Sequence, residues 1–287
     1  MAGVTERTPP MKTILLPIEA NTTTEAAFAI ADLMSSRFGS RVDGVALRPS
    51  FVTFVTTDPV VVVVPQSAQS EAEAEKTARA LFDRLCTKRS ATTNDSGAPA
   101  VAFRWSGYGP IDDGGLASLS RVYDITIVGR PGLRQSEPRM TTLEVALFES
   151  GRPIMMAPPV LPKTIGTNIL IHWNASNETA RAMNDAMPLL RQAGQVTMVS
   201  VEGNMVAGPK ASDMLEYLAA HGIRATETRV KPAAKGGGEA ILIEARRLGA
   251  DLLIKGAYTQ SRLRQMIFGG ATQHILQAAE IPVMLSH

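Results

Sequence analysis

Hydrophobic positions along this chain of 287 residues follow two alternating patterns. Short runs rich in Val and Ile alternate with longer segments in which Ala and Leu recur at helical spacing. The first pattern is typical of buried β-strands, and the second is typical of amphipathic helices. Strands separated by helices in this way predict βαβ units and a parallel sheet.

The predicted elements divide evenly between two halves of the chain. In the first half we expect strands near residues 12–18, 42–47, 100–105, 124–129 and 153–156, and helices near 23–38, 70–88, 112–122 and 141–150. In the second half we expect strands near 167–173, 195–201, 225–230, 251–255 and 281–285, and helices near 176–193, 209–221, 237–248 and 270–279. The fold class is therefore α/β, with two tandem domains that each contain a five-stranded parallel, doubly wound, Rossmann-like sheet flanked by helices.

The two halves repeat each other in sequence. Ile-Leu-Leu-Pro-Ile-Glu at 14–19 matches Ile-Leu-Ile-His-Trp-Asn at 169–174, and each is followed by a polar turn. Tyr-Asp-Ile-Thr-Ile-Val-Gly at 123–129 matches Ala-Asp-Leu-Leu-Ile-Lys-Gly at 250–256, and a Pro-hydrophobic-Met sequence closes both halves. An internal repeat of this size predicts two domains with one fold.

Offsets between the matched segments locate an insertion in the first half. Val42 and Val196 lie 154 residues apart, whereas Asp124 and Asp251 lie only 127 apart, so the first half carries about 27 extra residues. We place most of them near 50–75, where a run of five valines favours burial at an interface over a free loop. The expected divisions are a flexible leader at 1–11, a first domain at 12–158, a proline-containing linker at 159–166 and a second domain at 167–287.

Composition excludes several classes of function. The net charge of +2, without a basic cluster, argues against nucleic-acid binding. No apolar run approaches the roughly 18 residues that span a bilayer, so we expect no membrane partner. Cys86 is the only cysteine, which fits the reducing cytoplasm. The four histidines lack metal-ligand spacing, and we expect no metal site.

A glycine segment in the second half is the main candidate for binding chemistry. Gly-Ala-Tyr-Thr at 256–259 directly follows a predicted strand, and nine residues later Gly-Gly-Ala-Thr at 269–272 opens a predicted helix. Glycine lets the backbone approach a phosphate, and the N–H groups of a helix start supply donors. Ligands of doubly wound folds bind at this edge of the sheet.

This arrangement resembles the UspA-like universal stress protein superfamily, whose ATP-binding members carry Gly-x2-Gly-x9-Gly-Ser/Thr. The resemblance covers both halves and implies two tandem domains of the adenine-nucleotide alpha hydrolase-like fold. It also implies that the last strand of each half, at 153–156 and 281–285, pairs antiparallel across a pseudo-two-fold axis. The function it implies is a cytoplasmic stress-response sensor or regulator that binds ATP or a related adenine nucleotide, with Mg as a possible companion.

The resemblance assigns binding positions chiefly to the second half. Thr259 replaces the second glycine of the motif and Gly270 replaces its Ser/Thr, but the spacing survives, and the Thr272 hydroxyl is available for a phosphate. Asn174 stands where the family has an Asp that contacts the adenine-ribose end, and it loses the charge. The candidate residues are Asn174, Val201, Gly256, Thr259, Gly269, Gly270 and Thr272.

The first half retains less of the motif. Glu19 takes the position of the family Asp, and Gly129-Arg130-Pro131-Gly132 keeps only the first two glycines. The following loop lacks the closing Gly-Ser/Thr and is two residues shorter than its counterpart. We therefore name Glu19, Gly129, Arg130 and Gly132 as weaker candidates.

Several alternatives remain open. The glycines of both halves can instead serve only to close tight turns, and the chain is then an interaction module that acts through an unknown protein partner. Arg130, Arg134 and Arg139 in the first half, and Arg262 and Arg264 in the second, are either phosphate ligands or solvated loop charges. Trp173 is either a stacking platform or a core residue. A homodimer through the valine run is a further possibility. No catalytic arrangement is identifiable, so weak ATP hydrolysis is the most enzymatic activity that we expect.

Overall fold

The computed structural model describes residues 11–48, 68–92, 103–134, 136–257 and 270–287, and these form ten strands and nine helices. The valine run lies outside the described residues. The first half contains β1 (Thr13–Ile18), α1 (Thr24–Phe38), β2 (Arg41–Ala46), α2 (Ala68–Thr92), β3 (Phe103–Trp105), α3 (Asp113–Ser120), β4 (Ile125–Gly129), α4 (Met140–Glu149) and β5 (Ile154–Ala157). The second half contains β6 (Asn168–His172), α5 (Asn177–Asp185), α6 (Met187–Leu190), β7 (Gln195–Val201), α7 (Ala211–Ala220), β8 (Thr226–Val230), α8 (Gly237–Leu248), β9 (Leu252–Gly256), α9 (Ala271–Ala278) and β10 (Val283–Ser286).

The strands form one continuous sheet in the order β3-β2-β1-β4-β5-β10-β9-β6-β7-β8. Every neighbouring pair is parallel except β5 and β10, which are antiparallel. Each half thus contributes five parallel strands with helices on both faces, which confirms the predicted fold class. The expected antiparallel pairing of the last strands is present in this sheet.

Helices cover both faces because both faces of the central strands are apolar. Ile14 and Leu16 of β1 belong to one hydrophobic cluster, whereas Leu15 between them belongs to the other. Successive side chains of a strand point to opposite faces, so the two clusters lie on opposite sides of the sheet. Helices α1, α2, α5, α6 and α7 contribute buried residues to the first cluster, and α3, α4, α8 and α9 contribute to the second.

The predicted helix at 176–193 was wrong in one respect, because it is divided into α5 and α6. The division falls at Ala186, directly before a first turn that contains Pro188. Proline has no backbone N–H and its ring clashes with the carbonyl four residues earlier, so it suits a helix start and not an interior. The polypeptide therefore ends one helix and begins another at this point.

The pairing of β5 with β10 joins the two halves through buried main chain and side chains. Met155 lies opposite Met284, Ile154 lies opposite Leu285, and all four side chains are fully buried. Arg37 adds a contact from α1 to the second half, where it donates to the Gln192 side chain at 2.8 Å.

The antiparallel pairing also sets the geometry of the two halves. All first-half strands run parallel to β5, and all second-half strands run parallel to β10. The carboxyl ends of the two sets of strands therefore lie at opposite edges of the sheet. A ligand site at one carboxyl edge is remote from a ligand site at the other.

We expect Met284→Ala to lower the free energy of unfolding by about 2–5 kcal/mol, because it leaves a cavity where the two halves meet. Urea unfolding of the full chain measures the loss. Met205→Ala is the matched control, since Met205 is 41% exposed and its removal should cost no more than about 0.5 kcal/mol. Equal losses in the two variants would contradict the central position of the β5–β10 contact.

Candidate functional site

The carboxyl edge of the second half brings together the described members of the predicted binding set. Gly256 ends β9, Val201 ends β7, and Asn174 follows the end of β6. These three strands are adjacent and parallel, so their ends meet at one edge of the sheet. Thr259 and Gly269 lie outside the described residues, and their binding roles stay predictions.

Asn174 organises the start of α5. Its Oδ1 accepts hydrogen bonds from the Ser176 backbone N–H at 3.2 Å and from the Thr179 hydroxyl at 2.5 Å. Ser176 is the N-cap of α5, and its hydroxyl accepts from the Thr179 N–H at 3.3 Å. Ala175 between them has a φ of 67°, in the left-handed region that only glycine adopts without strain. The amide of Asn174 thus has a structural task that is independent of any ligand.

Gly256 is required by packing. A Cβ at this position would lie 2.3 Å from the backbone nitrogen of Thr179 and 2.4 Å from the carbonyl carbon of Glu178. No side chain fits between the end of β9 and the first turn of α5. This close contact supports the interpretation that Gly256 closes a tight turn. It also brings the backbone at the end of β9 next to the first turn of α5.

Two other predicted residues are largely enclosed by their neighbours. Val201 is 1% exposed and belongs to the hydrophobic cluster beneath α8. Trp173 is also 1% exposed, and its indole N–H donates to the Pro209 carbonyl at 3.3 Å. Trp173 is thus the core residue that the sequence allowed as one of two interpretations. Ligand contact by Val201 stays a prediction.

The start of α9 lies against the end of β9 through one side-chain hydrogen bond. Gly270 is the N-cap of this helix, and Thr272 lies in its first turn. The Thr272 hydroxyl accepts a hydrogen bond of 2.8 Å from the Lys255 ammonium, and both residues are buried. Because backbone N–H groups of a first helical turn have no intrahelical partners, this end of α9 is suited to an anion.

Lys255 is the most informative residue at this edge, and sequence reasoning missed it. It is 2% exposed, and its second hydrogen bond goes to the Gly256 carbonyl at 2.5 Å. No carboxylate of the described residues lies within ion-pair distance of its Nζ. Burial lowers the pKa of Lys255 from 10.5 to about 7, and the carboxylate of Glu178 offsets only part of this effect.

His172 lies next to Lys255 across the β6–β9 pairing. It is 4% exposed, and neither of its ring nitrogens has a hydrogen-bond partner among the described residues. Burial lowers the pKa of His172 from 6.5 to about 3, and the charge of Lys255 lowers it further in the same direction. We call Lys255, His172 and Thr272 the Lys255 cluster.

The fold itself does not require polar side chains at the two strand positions of this cluster. In the aligned repeat, Lys255 corresponds to Val128 and His172 corresponds to Pro17. Val128 and Pro17 lie near the carboxyl ends of β4 and β1 in the first half. Lys255 and His172 lie near the carboxyl ends of the equivalent strands, β9 and β6, in the second half. An alignment of the two repeats identifies Lys255 and His172 from the sequence, because the first half has nonpolar residues at both positions.

We expect the free energy of unfolding to rise with pH above neutrality because of Lys255. Between about pH 7, its lowered pKa in the folded chain, and its ordinary pKa of 10.5, the unfolded chain binds a proton at this residue and the folded chain does not. Stability increases with pH wherever the unfolded state binds more protons. Urea unfolding at neutral pH and at about pH 9.5 measures the increase, which Lys255→Met should reduce.

Lys163→Met is the matched control for this measurement. Lys163 is exposed and lies between β5 and β6, at the opposite edge of the sheet from Lys255. The control loses the same charge but should keep the pH dependence of the unmodified protein. Identical pH dependence in Lys255→Met would show that Lys255 does not titrate in this range.

In the first half, an arginine occupies the carboxyl edge. The Arg139 guanidinium pairs with the Glu19 carboxylate at 2.5 Å and with Asp113 at 3.0 Å. Asp113 also accepts hydrogen bonds from the hydroxyls of Thr141 at 2.9 Å and Thr142 at 2.7 Å. Burial raises the pKa of Glu19, and the Arg139 charge offsets part of that rise. Glu19, predicted to contact a ligand, is thus already paired within the protein.

The remaining first-half candidates also have internal partners. A Cβ on Gly129 would lie 2.0 Å from the Thr23 hydroxyl oxygen, and one on Gly132 would lie 2.2 Å from a Glu137 carboxylate oxygen. Arg130 donates to the Ala279 carbonyl at 2.9 Å, so it contacts the second half instead of a loop-bound phosphate. For Arg130 and Arg139, the hypothesis of a free phosphate ligand does not fit these contacts.

Two helices of the first half begin in different ways. Asp112 is the N-cap of α3, and its side chain accepts from the Gly115 N–H at 2.9 Å. For α1 the N-cap is Thr23, and its side chain makes no capping hydrogen bond. The Asn21 side chain instead accepts from the Thr23 N–H at 3.0 Å.

We expect Arg139→Met to lower the free energy of unfolding by roughly 1–3 kcal/mol, between the values for exposed and buried ion pairs, because Glu19 and Asp113 lose their counter-charge. Chemical denaturation measures the loss. Arg134→Met removes the same charge from an exposed residue of the same loop and should have almost no effect. A loss no larger than that of Arg134→Met would contradict a closed ionic network in the first half.

No group of three or more His, Cys, Asp or Glu side chains in the described ranges is placed to hold a metal ion. No helix formed by the described residues is both long enough and apolar enough to cross a membrane.

The second half of the chain is similar to a known protein family. Residues 171–287 match the model of the universal stress protein family. No curated protein matches the chain.

Solved structures share the fold along nearly the whole chain. A universal stress protein from Archaeoglobus fulgidus DSM 4304 aligns with a TM-score of 0.70 and 15% identity, covering 96% of each chain. A candidate universal stress protein from Pseudomonas aeruginosa UCBPP-PA14 aligns with a TM-score of 0.55 and 14% identity, covering 96% of this chain and 93% of the other. The α/β fold is thus shared with both structures along nearly the whole chain.

Proposed function

We propose that this chain is a tandem universal stress protein that binds ATP or a related adenine nucleotide, chiefly at the carboxyl edge of its second half. The family match at residues 171–287 supports this assignment for the second half. For the first half, the repeated sequence and the shared fold of the two halves support a second domain of the same kind.

The observation that carries the proposal is the contrast between the two carboxyl edges. In the first half, Arg139 is paired with Glu19 and Asp113, so its charge is balanced within the protein. In the second half, the ammonium of Lys255 lies beside the first turn of α9, and no carboxylate of the described residues is within ion-pair distance of it. The second edge therefore fits an anionic ligand better than the first does.

The residues around α9 fit the phosphate end of a nucleotide. The Thr272 hydroxyl and the backbone N–H groups that follow Gly270 are donors of the kind that phosphates bind. The close approach of Gly256 to α5 keeps a side chain away from the end of β9. Mg²⁺, where it accompanies ATP, would reduce the repulsion among the phosphates.

We infer a regulatory role in the cytoplasm. Binding at the edge of β9 would change the surface next to α5 and α9, and a protein partner would read that change. A sensor of this kind needs no turnover. Weak ATP hydrolysis is compatible with binding but is not part of the proposal.

Isothermal titration of the full chain with ATP, with and without Mg²⁺, tests the proposal. We expect measurable heat and a higher unfolding temperature at millimolar ATP, because a ligand that binds only the folded state stabilises it. Thr272→Val should weaken binding, since it removes a hydroxyl at the proposed site. Thr142→Val removes a buried hydroxyl of the first-half network and should leave ATP binding unchanged.

The absence of both heat and stabilisation would overturn nucleotide binding. Equal weakening by Thr142→Val and Thr272→Val would overturn the assignment to the second half. The alternative is an interaction module without a nucleotide, and the closed ionic network around Arg139 favours it for the first half. In that case the first half serves contacts, either with a partner protein or within a homodimer.

A further inference from the structure

An open cavity at the junction of the two halves carries an inference that is independent of nucleotide binding. We call it the junction cavity, and its polar lining consists of Arg152, Arg181, Asn184, Asp185, Ser286 and His287. We propose that it binds a small acidic amino acid. The carboxylates of this ligand contact Arg152 and Arg181, and its ammonium contacts Asp185.

The pairing of β5 with β10 builds the junction cavity from both halves. Leu285 lies opposite Ile154, so the end of β10 lies beside the loop that precedes β5. That loop supplies Arg152, whereas α5 of the second half supplies Arg181 and Asp185. The volume of the cavity is about 510 Å³, within the range of roughly 300–1,000 Å³ in which proteins hold small molecules. A ligand here therefore contacts both halves at once.

The Asp185 carboxylate is suited to a ligand ammonium. Its Oδ2 accepts a hydrogen bond of 2.8 Å from the hydroxyl of Ser286, which is buried. No cationic side chain of the described residues lies within ion-pair distance of Asp185. Burial raises the pKa of Asp185, and the Ser286 hydrogen bond and the charges of Arg152 and Arg181 offset only part of that rise. An ammonium in contact with the carboxylate would favour its charged form.

The two arginines are suited to ligand carboxylates. The Nε of Arg152 donates to the Arg121 carbonyl at 3.2 Å, which holds the guanidinium at the start of β5. Within the described ranges, no carboxylate lies at ion-pair distance from Arg152 or from Arg181. A guanidinium binds a carboxylate through two parallel hydrogen bonds, so each arginine can hold one such group.

The balance of charge selects the class of ligand. Apart from the imidazole of His287, the charged groups that line the cavity are two guanidiniums and one carboxylate. An acidic amino acid carries two carboxylates and one ammonium, which is the complementary set. A neutral amino acid would leave one arginine without a partner, and a dicarboxylate would leave Asp185 without one.

The sequence repeat shows that the fold does not need these polar groups. Ser286 at the end of β10 is equivalent to Ala157 at the end of β5. The offsets between matched strands, 155 residues for β1 and β6 and 154 for β2 and β7, place Ile30 or Ala31 opposite Asp185. All three of these first-half residues are fully buried. Because a buried carboxyl group costs free energy that an apolar side chain does not, ligand binding accounts for the polar pair better than folding does.

The junction cavity is separate from the proposed nucleotide site. Asn174, Gly256 and Thr272 are not among the residues that line it. Titrations without nucleotide therefore test the junction cavity by itself, and their outcome does not depend on whether the chain binds ATP.

The test compares L-glutamate with two analogues that each lack one charged group. Glutarate lacks the ammonium, and γ-aminobutyrate lacks one carboxylate. We expect isothermal titration of the full chain to show binding of L-glutamate at millimolar concentrations. Both analogues should bind at least about tenfold more weakly, which is the size of one charge-assisted hydrogen bond.

Two variants separate the contacts. Asp185→Asn should lose at least about tenfold in affinity for L-glutamate, but its affinity for glutarate should be unchanged or higher, because glutarate has no ammonium. Arg181→Met should weaken both ligands. Both variants should fold, since Arg181 is exposed and the first half has an apolar residue in place of Asp185. Thermal unfolding without ligand checks this expectation.

Asp83→Asn and Arg134→Met are the matched controls, because both residues are exposed and lie outside the cavity. They should bind the three compounds as the unmodified chain does. Failure of the unmodified chain to bind L-glutamate would overturn the inference, and so would equal affinities for glutarate and L-glutamate. Equal losses for these two ligands in Asp185→Asn would overturn the ammonium contact, since only one of them carries an ammonium.

Discussion

The antiparallel pairing of β5 with β10 is the contact on which the rest of the structure depends. An isolated five-stranded parallel sheet leaves backbone N–H and C=O groups exposed along its edge strands. Here one such edge from each half is satisfied by the other, and Met155 and Met284 meet in the buried centre of a ten-stranded sheet. Among the described strands, the outermost two are β3, which is short, and β8, whose residues include Glu227 and Arg229. Short strands and charged residues both discourage further edge pairing.

The same pairing allows the two halves to differ chemically. The carboxyl ends of the two sets of strands lie at opposite edges of the sheet. The side chains at one of these edges therefore do not constrain those at the other. One edge contains an internal ionic network around Arg139, and the other contains a buried lysine with no carboxylate of the described residues at ion-pair distance. Two copies of one fold thus have different charged groups at equivalent edges.

The sequence was sufficient for the fold because the fold depends on periodicity, which is local. Pro188 accounts for the break between α5 and α6, although the residues around it favour a continuous helix on average. The sequence could not show that Arg139 reaches Glu19, 120 residues away, since such a contact depends on the course of a loop. The position of Lys255 next to His172 likewise depends on a long-range feature, the register of β6 against β9. The motif contains only glycines and a hydroxyl residue, whereas the charged residue, Lys255, lies one position before its first glycine, Gly256.

Lys255 also links stability, protonation and ligand binding in one residue. Without an anion, the buried ammonium is disfavoured, and the lowered pKa of about 7 means that the folded protein releases this proton readily. An anion at Nζ favours the charged form and raises the pKa again, so binding near neutral pH would be accompanied by proton uptake. The proposed ligand would therefore stabilise the charged form of Lys255, and this effect needs no catalytic step.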